Sequence, residues 1–263
     1  METINYIIKG DHNSKPSLRI IIPTSSADSP RFKQCFSHIQ KSSVPEGTVV
    51  TAVISSGSDF VFAKSVNFGL MKVIDEDILL LNDDCYVGPN TILNVIRSLQ
   101  PDDGVVGALL RYSDRRIQHN GGVLLTNSLR ILLKDTISGA PLYSLRSYLK
   151  ASKLHTRYVR SYRNFSTRSI RPHYVTSAFF FIRNNTFKSV GYFNENFRNG
   201  FEDLDYCLRV KKSGYVVRVE GSSEAVHEEH ASLSTHEGHY FDNLVQFNQK
   251  WGKSDLTAIL KCN

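Results

Sequence analysis

The chain has 263 residues, 41% of them apolar and 22% charged, a globular composition that excludes general disorder. Its formal charge is +7, yet residues 143–173 hold eight basic and no acidic side chains, so that segment carries +8 and the remainder 7 − 8 = −1. The chain is therefore a near-neutral body with one basic segment, and a polyanion partner does not follow from the total charge.

Residues 1–15 mix acidic and basic side chains without an apolar core and do not read as a signal peptide. Residues 18–22 are an apolar, β-branched run closed by Pro23, a strand. Phe32, Cys35, Phe36 and Ile39 then recur at helical spacing. A second strand is expected at 48–54, followed by a Ser-Ser-Gly-Ser turn from Ser55, and a second helix by Phe62, Val66, Leu70, Val73 and Ile74. Residues 78–81 are apolar throughout, as in a strand covered on both faces. Pro89 opens a helix striped by Ile92, Leu93, Ile96 and Leu99. This alternation predicts βαβ units and a mainly parallel sheet. Further strands are expected at 105–110, 123–125, 175–182 and 215–219, and a helix at 202–212 stopped by Gly214. In the basic segment, Leu145, Leu149, Leu154, Tyr158, Tyr162 and Phe165 suggest one or two amphipathic helices.

Four cysteines, Cys35, Cys85, Cys207 and Cys262, are widely spaced without a C-x-x-C pair. A disulfide scaffold and a cysteine zinc cluster are excluded, and reduced thiols are expected. No apolar run approaches the roughly 18 residues of a membrane span. The expected location is the cytoplasm, with peripheral contact at the inner face of the membrane. G-x-G-x-x-G and P-loop patterns are absent, so the usual dinucleotide and P-loop phosphate sites lose support.

Ligands of such sheets sit beyond the carboxyl ends of the strands, here Pro23-Thr24, Ser55 and Asn82-Asp83-Asp84. The last of these runs a buried strand into two carboxylates, which suits a hard divalent cation as well as a hydrogen-bonded turn. Glu202 and Asp203 open a helix, where acidic side chains favour the dipole and where one can also serve as a general base. Asp205 and Arg209 are spaced to pair. His227-Glu228-Glu229-His230 offers metal-ligand types, but not at H-E-x-x-H spacing, so a zinc protease is not expected.

Taken in order, these residues resemble the family 2 glycosyltransferases of GT-A fold, in particular their rhamnosyltransferase-like branch. The resemblance runs from Leu18 to Trp251: Ile20-Ile21-Ile22-Pro23-Thr24, Asn67-Phe68-Gly69, Leu80-Leu81-Asn82-Asp83-Asp84 at the D-x-D position, Phe181-Ile182-Arg183, Val190 to Glu195, Phe201 to Arg209, Gly214-Tyr215, His227 and Lys250-Trp251. It implies one α/β domain over residues 1–263, with a Rossmann-like, mainly parallel sheet flanked by helices. Residues 18–110 would form the nucleotide-sugar half. Residues 111–251 would form the acceptor half, with a basic insertion at 143–173.

The implied activity is inverting, metal-dependent transfer of a sugar from a nucleotide-sugar, dTDP- or UDP-linked, to a hydroxyl of a glycan acceptor. The setting would be cell-surface polysaccharide or glycoconjugate synthesis. The resemblance assigns the divalent ion (magnesium or manganese) to Asp84 and His227. It assigns the donor to Pro23, Thr24, Ser55, Asn67, Asn82 and Asp83, the catalytic base to Asp203, and acceptor binding beside it to Glu202. Two departures stand out. Ser55 to Ser58 replace the family's usual Asp-containing pair that reads the base. Asn82 replaces the first Asp of D-x-D, which removes one carboxylate from the metal. The basic segment would face a lipid-linked glycan or membrane surface; nucleic-acid binding, the alternative, ignores the carboxylate motifs and is not expected. A nucleotidyltransferase reading lacks the glycine- and basic-rich N-terminal loop.

Overall fold

The structure is a computed structural model that describes residues 1–10, 15–55, 57, 60–125, 157–160, 169–228, 239–251, 256, 258 and 259. Among these, nine strands form one sheet in the order β1-β3-β2-β4-β10-β6-β11-β5, with β7 on β6. The strands are β1 (Glu2–Lys9), β2 (Leu18–Thr24), β3 (Thr48–Ile54), β4 (Asp77–Leu81), β5 (Cys85–Val87), β6 (Asp103–Arg111), β7 (Ile117–His119), β10 (Phe179–Ile182) and β11 (Val216–His227). A separate pair joins β8 (Gly122–Leu125) to β9 (Arg157–Arg160). The helices are α1 (Pro30–Gln40), α2 (Phe62–Leu70), α3 (Thr91–Arg97), α4 (Asn184–Val190), α5 (Glu202–Lys212) and α6 (Tyr240–Lys250).

The expected α/β class is present, and β3, β2 and β4 are parallel as the alternation predicted. The sheet as a whole is mixed, because β10 runs antiparallel between β4 and β6, while β1 and β5 add antiparallel edges. The apolar runs read as doubly covered strands are so covered. Ile21, Ile78, Leu80, Phe180 and Ile182 face one core with α2 and α5; Ile20, Ile22, Leu79, Leu81, Phe179 and Phe181 face the other with α1 and α3. Burial of each such side chain stabilises the fold by about 1.5–3 kcal/mol relative to exposure. Ser29 starts α1 by accepting the Phe32 amide, with Pro30 at its first turn.

Gly69 lets α2 lie close on β2, since a Cβ there would stand 2.6 Å from Ile21 Cγ2. α2 ends at Leu70, short of the Val73 and Ile74 expected within it. The strand expected at 215–219 and the run from Ser223 are one strand, β11, with a register shift between Glu220 and Glu224. Residues 157–160, including Tyr158, pair with β8 as a strand instead of continuing a helix; backbone hydrogen bonding to β8 overrides the loose apolar spacing. The remaining helical positions suggested for the basic segment lie outside the described residues. Arg171 forms an ion pair with Asp102 at 3.4 Å. Cys35, Cys85 and Cys207 are free and buried. Among the described residues no helix is long and apolar enough to cross a membrane.

Candidate functional site

Three strand ends and one helix start converge. β2 and β3 finish side by side, with the Ser55 amide donating to Thr24 O at 2.9 Å. β4 runs into the turn 82–84, closed by the Cys85 amide on Asn82 O at 3.0 Å. β5 returns antiparallel to β11 in a register that sets His227 opposite Cys85. That pairing carries His227 to the carboxylates although 143 residues of chain separate it from Asp84 (227 − 84 = 143).

His227 Nε2 lies 3.2 Å from Asp84 Oδ1 and 3.4 Å from Asn82 Nδ2. Its other ring nitrogen, Nδ1, is 2.7 Å from Gln118 Oε1, and Gln118 Nε2 donates to His227 O at 3.0 Å. Burial alone would raise the Asp84 pKa, but the hydrogen bond and charge of His227, with the charge of Arg31, hold it below the usual value. Asp83 goes the other way: burial raises it, against a 2.7 Å hydrogen bond from Thr24 Oγ1, with Asp84 adding repulsion and Arg31 opposing it. Arg31, in the first turn of α1, thus places positive charge near both carboxylates.

The opposite wall starts from β10. Because this strand is antiparallel to β4, its leading residues meet the end of β4, and the Asn82 amide donates to Ala178 O at 3.1 Å. One residue earlier, the Ser177 amide donates to Asp203 Oδ2 at 3.3 Å. Asp203 Oδ1 also accepts from the Leu204 amide at 2.7 Å, and the Thr176 hydroxyl bonds the same carboxylate. Thr176 is held in turn by its amide on His119 Nε2, 3.2 Å away.

Burial lifts the Asp203 carboxyl to about 6, against these hydrogen bonds. Glu202, only 6% exposed, is lifted further, to about 8, by burial and then by the charge of Asp203. Its Oε2 accepts the Gly200 amide at 2.5 Å. Near neutral pH the pair is therefore one ionised and one protonated carboxyl, the division that acid–base chemistry needs. The turn before α5 has positive φ at Asn199 (52°) and Phe201 (74°), a conformation non-glycine residues rarely take. Asn243 on α6 holds it, accepting the Arg198 amide at 2.9 Å and donating to Gly200 O at 3.0 Å.

The structure thus brings together Thr24, Asn82, Asp83, Asp84 and His227, and across residues 177–178 it adds Asp203 and Glu202. Pro23 is buried within β2, opposite Val53. The Ser55 hydroxyl is shared with Ser65 Oγ at 2.7 Å, at the mouth of the same strand pair. Asn67 does not join them. Its amide clamps α2 to the turn after α4, donating to Phe193 O and Glu195 Oε1 and accepting the Phe193 amide, each at 2.9 Å. Asn67 thus has a structural task at this position, apart from the cluster around Asp84. Glu202 is likewise buried, with its carboxyl accepting a backbone amide beside Asp203. Asp205 pairs with Arg209 as expected, at 3.0 Å, and also accepts from Trp251 Nε1 at 2.8 Å and pairs with Lys250. Glu228 accepts the Tyr86 hydroxyl; Glu229 and His230 lie outside the described residues, as do Ser56 and Ser58. Arg31, Gln118, His119, Thr176 and Asn243 were not singled out by sequence.

The first cluster presents atoms of the kinds a divalent cation takes. Asp84 and His227 supply an oxygen and a nitrogen, and Asn82 Oδ1 is a buried acceptor without a hydrogen-bond partner. The donor set is lean: among the described residues no group of three His, Cys, Asp or Glu could hold a metal ion.

No family model matches the chain. An uncharacterized protein, y4gI, of Sinorhizobium fredii is 28% identical over 169 residues, covering 62% of this chain and 16% of that protein. Among solved structures, GalNAc-T7 with UDP, GalNAc and Mn2+ superposes with a TM-score of 0.59 at 10% identity, over 91% of this chain and 49% of that one. The mannosyltransferase PcManGT of Pyrobaculum calidifontis, with GDP-Man and Mn2+, gives 0.56 at 12% identity, over 95% and 69%. The chain thus spans about half of the first of these and a small part of its curated relative. At such identities the likeness establishes the fold, a mixed α/β fold shared with GT-A glycosyltransferases.

Proposed function

We propose that this chain is a metal-dependent, inverting glycosyltransferase that moves a sugar from a nucleotide-sugar to a hydroxyl of a glycan acceptor. The observation that carries the proposal is the pairing of two unlike centres on this fold. The Asn82–Asp84–His227 cluster and the Asp203 carboxylate are bridged by adjacent residues, with Asn82 bonded to Ala178 and Asp203 to Ser177. Solved proteins of the same fold that hold UDP or GDP-Man together with Mn2+ add support.

Asp84, His227 and Asn82 would hold the cation, with Arg31 as a further positive group on the donor side. When bound, the cation offsets the negative charge that grows on a departing diphosphate. Thr24, Ser55 and Asp83, at the joined ends of β2, β3 and β4, would contact the nucleotide. Asp203, ionised at neutral pH, would take the proton of the acceptor hydroxyl. Buried, protonated Glu202 spares it a second neighbouring negative charge. Attack from the Asp203 side, opposite the leaving diphosphate, inverts the anomeric centre in a single displacement.

The finer reading is a UDP- or dTDP-sugar donor, a rhamnosyltransferase-like specificity and a glycan or lipid-linked glycan acceptor in cell-surface polysaccharide synthesis. It takes residues 1–263 as one catalytic domain, with 18–110 serving the donor and 111–251 the acceptor. In this reading the enzyme is cytoplasmic. Residues 143–173 would meet anionic head groups at the membrane, each basic side chain contributing about 1 kcal/mol near the surface.

A panel of nucleotide sugars, assayed with and without magnesium or manganese, tests the activity. Product should depend on the metal and vanish in Asp84→Ala and Asp203→Asn; full activity in the double variant refutes the proposal. Liposome co-sedimentation that is unchanged by neutralising Arg157, Arg160 and Arg163 would refute the membrane contact.

A further inference from the structure

Gln118 sits on β7, a three-residue strand, and is buried at 2% exposure. A buried glutamine must satisfy both a carbonyl and an amide group. Here the two ends are told apart by their partners. The His227 carbonyl can only accept, so the Gln118 group 3.0 Å from it is the donating Nε2. Oε1 is thereby turned toward His227 Nδ1, 2.7 Å away. A carbonyl oxygen can only accept, so Nδ1 carries the proton. Nε2, 3.2 Å from Asp84 Oδ1 and 3.4 Å from the Asn82 amide, carries a second proton while it donates to Asp84. When the imidazole becomes neutral the Nε2 proton is the one released, because Gln118 Oε1 keeps the proton on Nδ1, and the lone pair then resides on Nε2. Two bonds from one amide thus fix both the ring orientation and the tautomer.

We propose that Gln118 is a positioning residue that commits His227 to the Nδ1–H tautomer, so that Nε2 is free to ligate a divalent cation alongside Asp84. This rests on the metal-dependent reading of the site. It adds to that reading a residue on a different strand, held by the β6–β7 pairing and not by the D-x-D turn. Gln118→Leu removes the acceptor at Nδ1 while keeping bulk, and frees the ring to take the other tautomer. Gln118→Glu keeps an acceptor at Nδ1 but cannot donate to the His227 carbonyl, so it separates the tautomer from the second tether on the residue.

The test has two readouts on the intact protein without substrate. Manganese titration, followed by loss of the free-ion paramagnetic resonance signal, should show affinity weakened about 10–100-fold in Gln118→Leu and largely retained in Gln118→Glu. Long-range proton–nitrogen correlation spectra, with the ring assigned by His227→Ala and recorded where the imidazole is neutral, should show Nδ1–H in the wild type. In Gln118→Leu that state should be lost or mixed. Equal manganese affinity in Gln118→Leu and wild type, or an Nε2–H tautomer in the wild type, overturns the proposal. A wild-type chain that binds no manganese overturns the metal reading of the site instead, and the tautomer spectra then still decide what Gln118 does.

Discussion

Replacing Glu202 by Gln should make the protein more stable in alkaline solution than it is naturally. Burial and the adjacent Asp203 raise the Glu202 carboxyl from 4.5 to about 8. A raised pKa means that the folded state holds a proton which the unfolded chain has released. The associated stability is fully present below about pH 4.5 and is lost as pH rises through about 8. At about 1.4 kcal/mol for each pKa unit, the loss for Glu202 reaches about 5 kcal/mol as an upper bound. Part of this is repulsion from Asp203, which ionises first, and local relaxation lowers it further, so about 2–5 kcal/mol is expected. Gln is nearly isosteric with the protonated acid, and its Oε1 can still accept the Gly200 amide. Urea unfolding at pH 5, 7 and 9 reads the effect, because titrating groups that do not interact with Glu202 cancel between wild type and variant. The two should nearly match at pH 5, and Glu202→Gln should gain steadily toward pH 9. In an Asp203→Asn background the gain should still begin near pH 4.5 but level off at a lower pH and be smaller by pH 9, because removing the repulsion lowers the folded-state Glu202 pKa; an unchanged gain would mean that burial alone governs Glu202. A wild-type-to-variant difference that stays constant from pH 5 to pH 9 refutes the idea that Glu202 is buried as a neutral acid.

Turnover of a competent nucleotide-sugar should rise as pH increases through about 6, where Asp203 ionises, and Asp203→Asn should lower kcat by about 100- to 10,000-fold; a flat wild-type profile between pH 5 and 7 would exclude Asp203 as the base. Asn243→Ala unclasps the strained turn at Arg198 and Gly200, so it should cost about 1–3 kcal/mol in urea unfolding and reduce kcat more than it changes KM. Gly122→Ala should cost about 1–3 kcal/mol or more in the same unfolding assay, because its Cβ would lie 1.8 Å from the buried Tyr174 ring.

What the sequence made legible follows from how far each signal reaches along the chain. β2, β4 and β10 are continuous apolar runs because both faces of the sheet are covered, so local composition alone marks them. β1 was missed because its edge strand is largely exposed, with Ile4 and Ile7 at 38% and 37%, and its apolar residues are diluted by polar ones. β5 and β7, three residues each, are too short to show a period. At the site the same division holds. Asp84, Asp203 and His227 announce themselves by charge and residue type at strand or helix ends. The Asn67 amide suits a ligand or a backbone clamp equally well in the sequence, and its clamp on Phe193 becomes visible only in the fold.

Gln118, Thr176 and Asn243 are neutral side chains whose chemistry exists only through pairing with distant segments. Gln118 meets His227 because β7 lies on β6 and β6 lies on β11. Thr176 meets Asp203 because β10 is inverted between β4 and β6. The antiparallel insertion of β10 that makes the sheet mixed is therefore also what joins the two centres. A wholly parallel sheet would deliver the carboxyl end of that strand, Ile182, to the end of β4, and would leave Ala178 and Ser177 at the far edge. The departure from the expected topology is the arrangement on which the proposed chemistry depends.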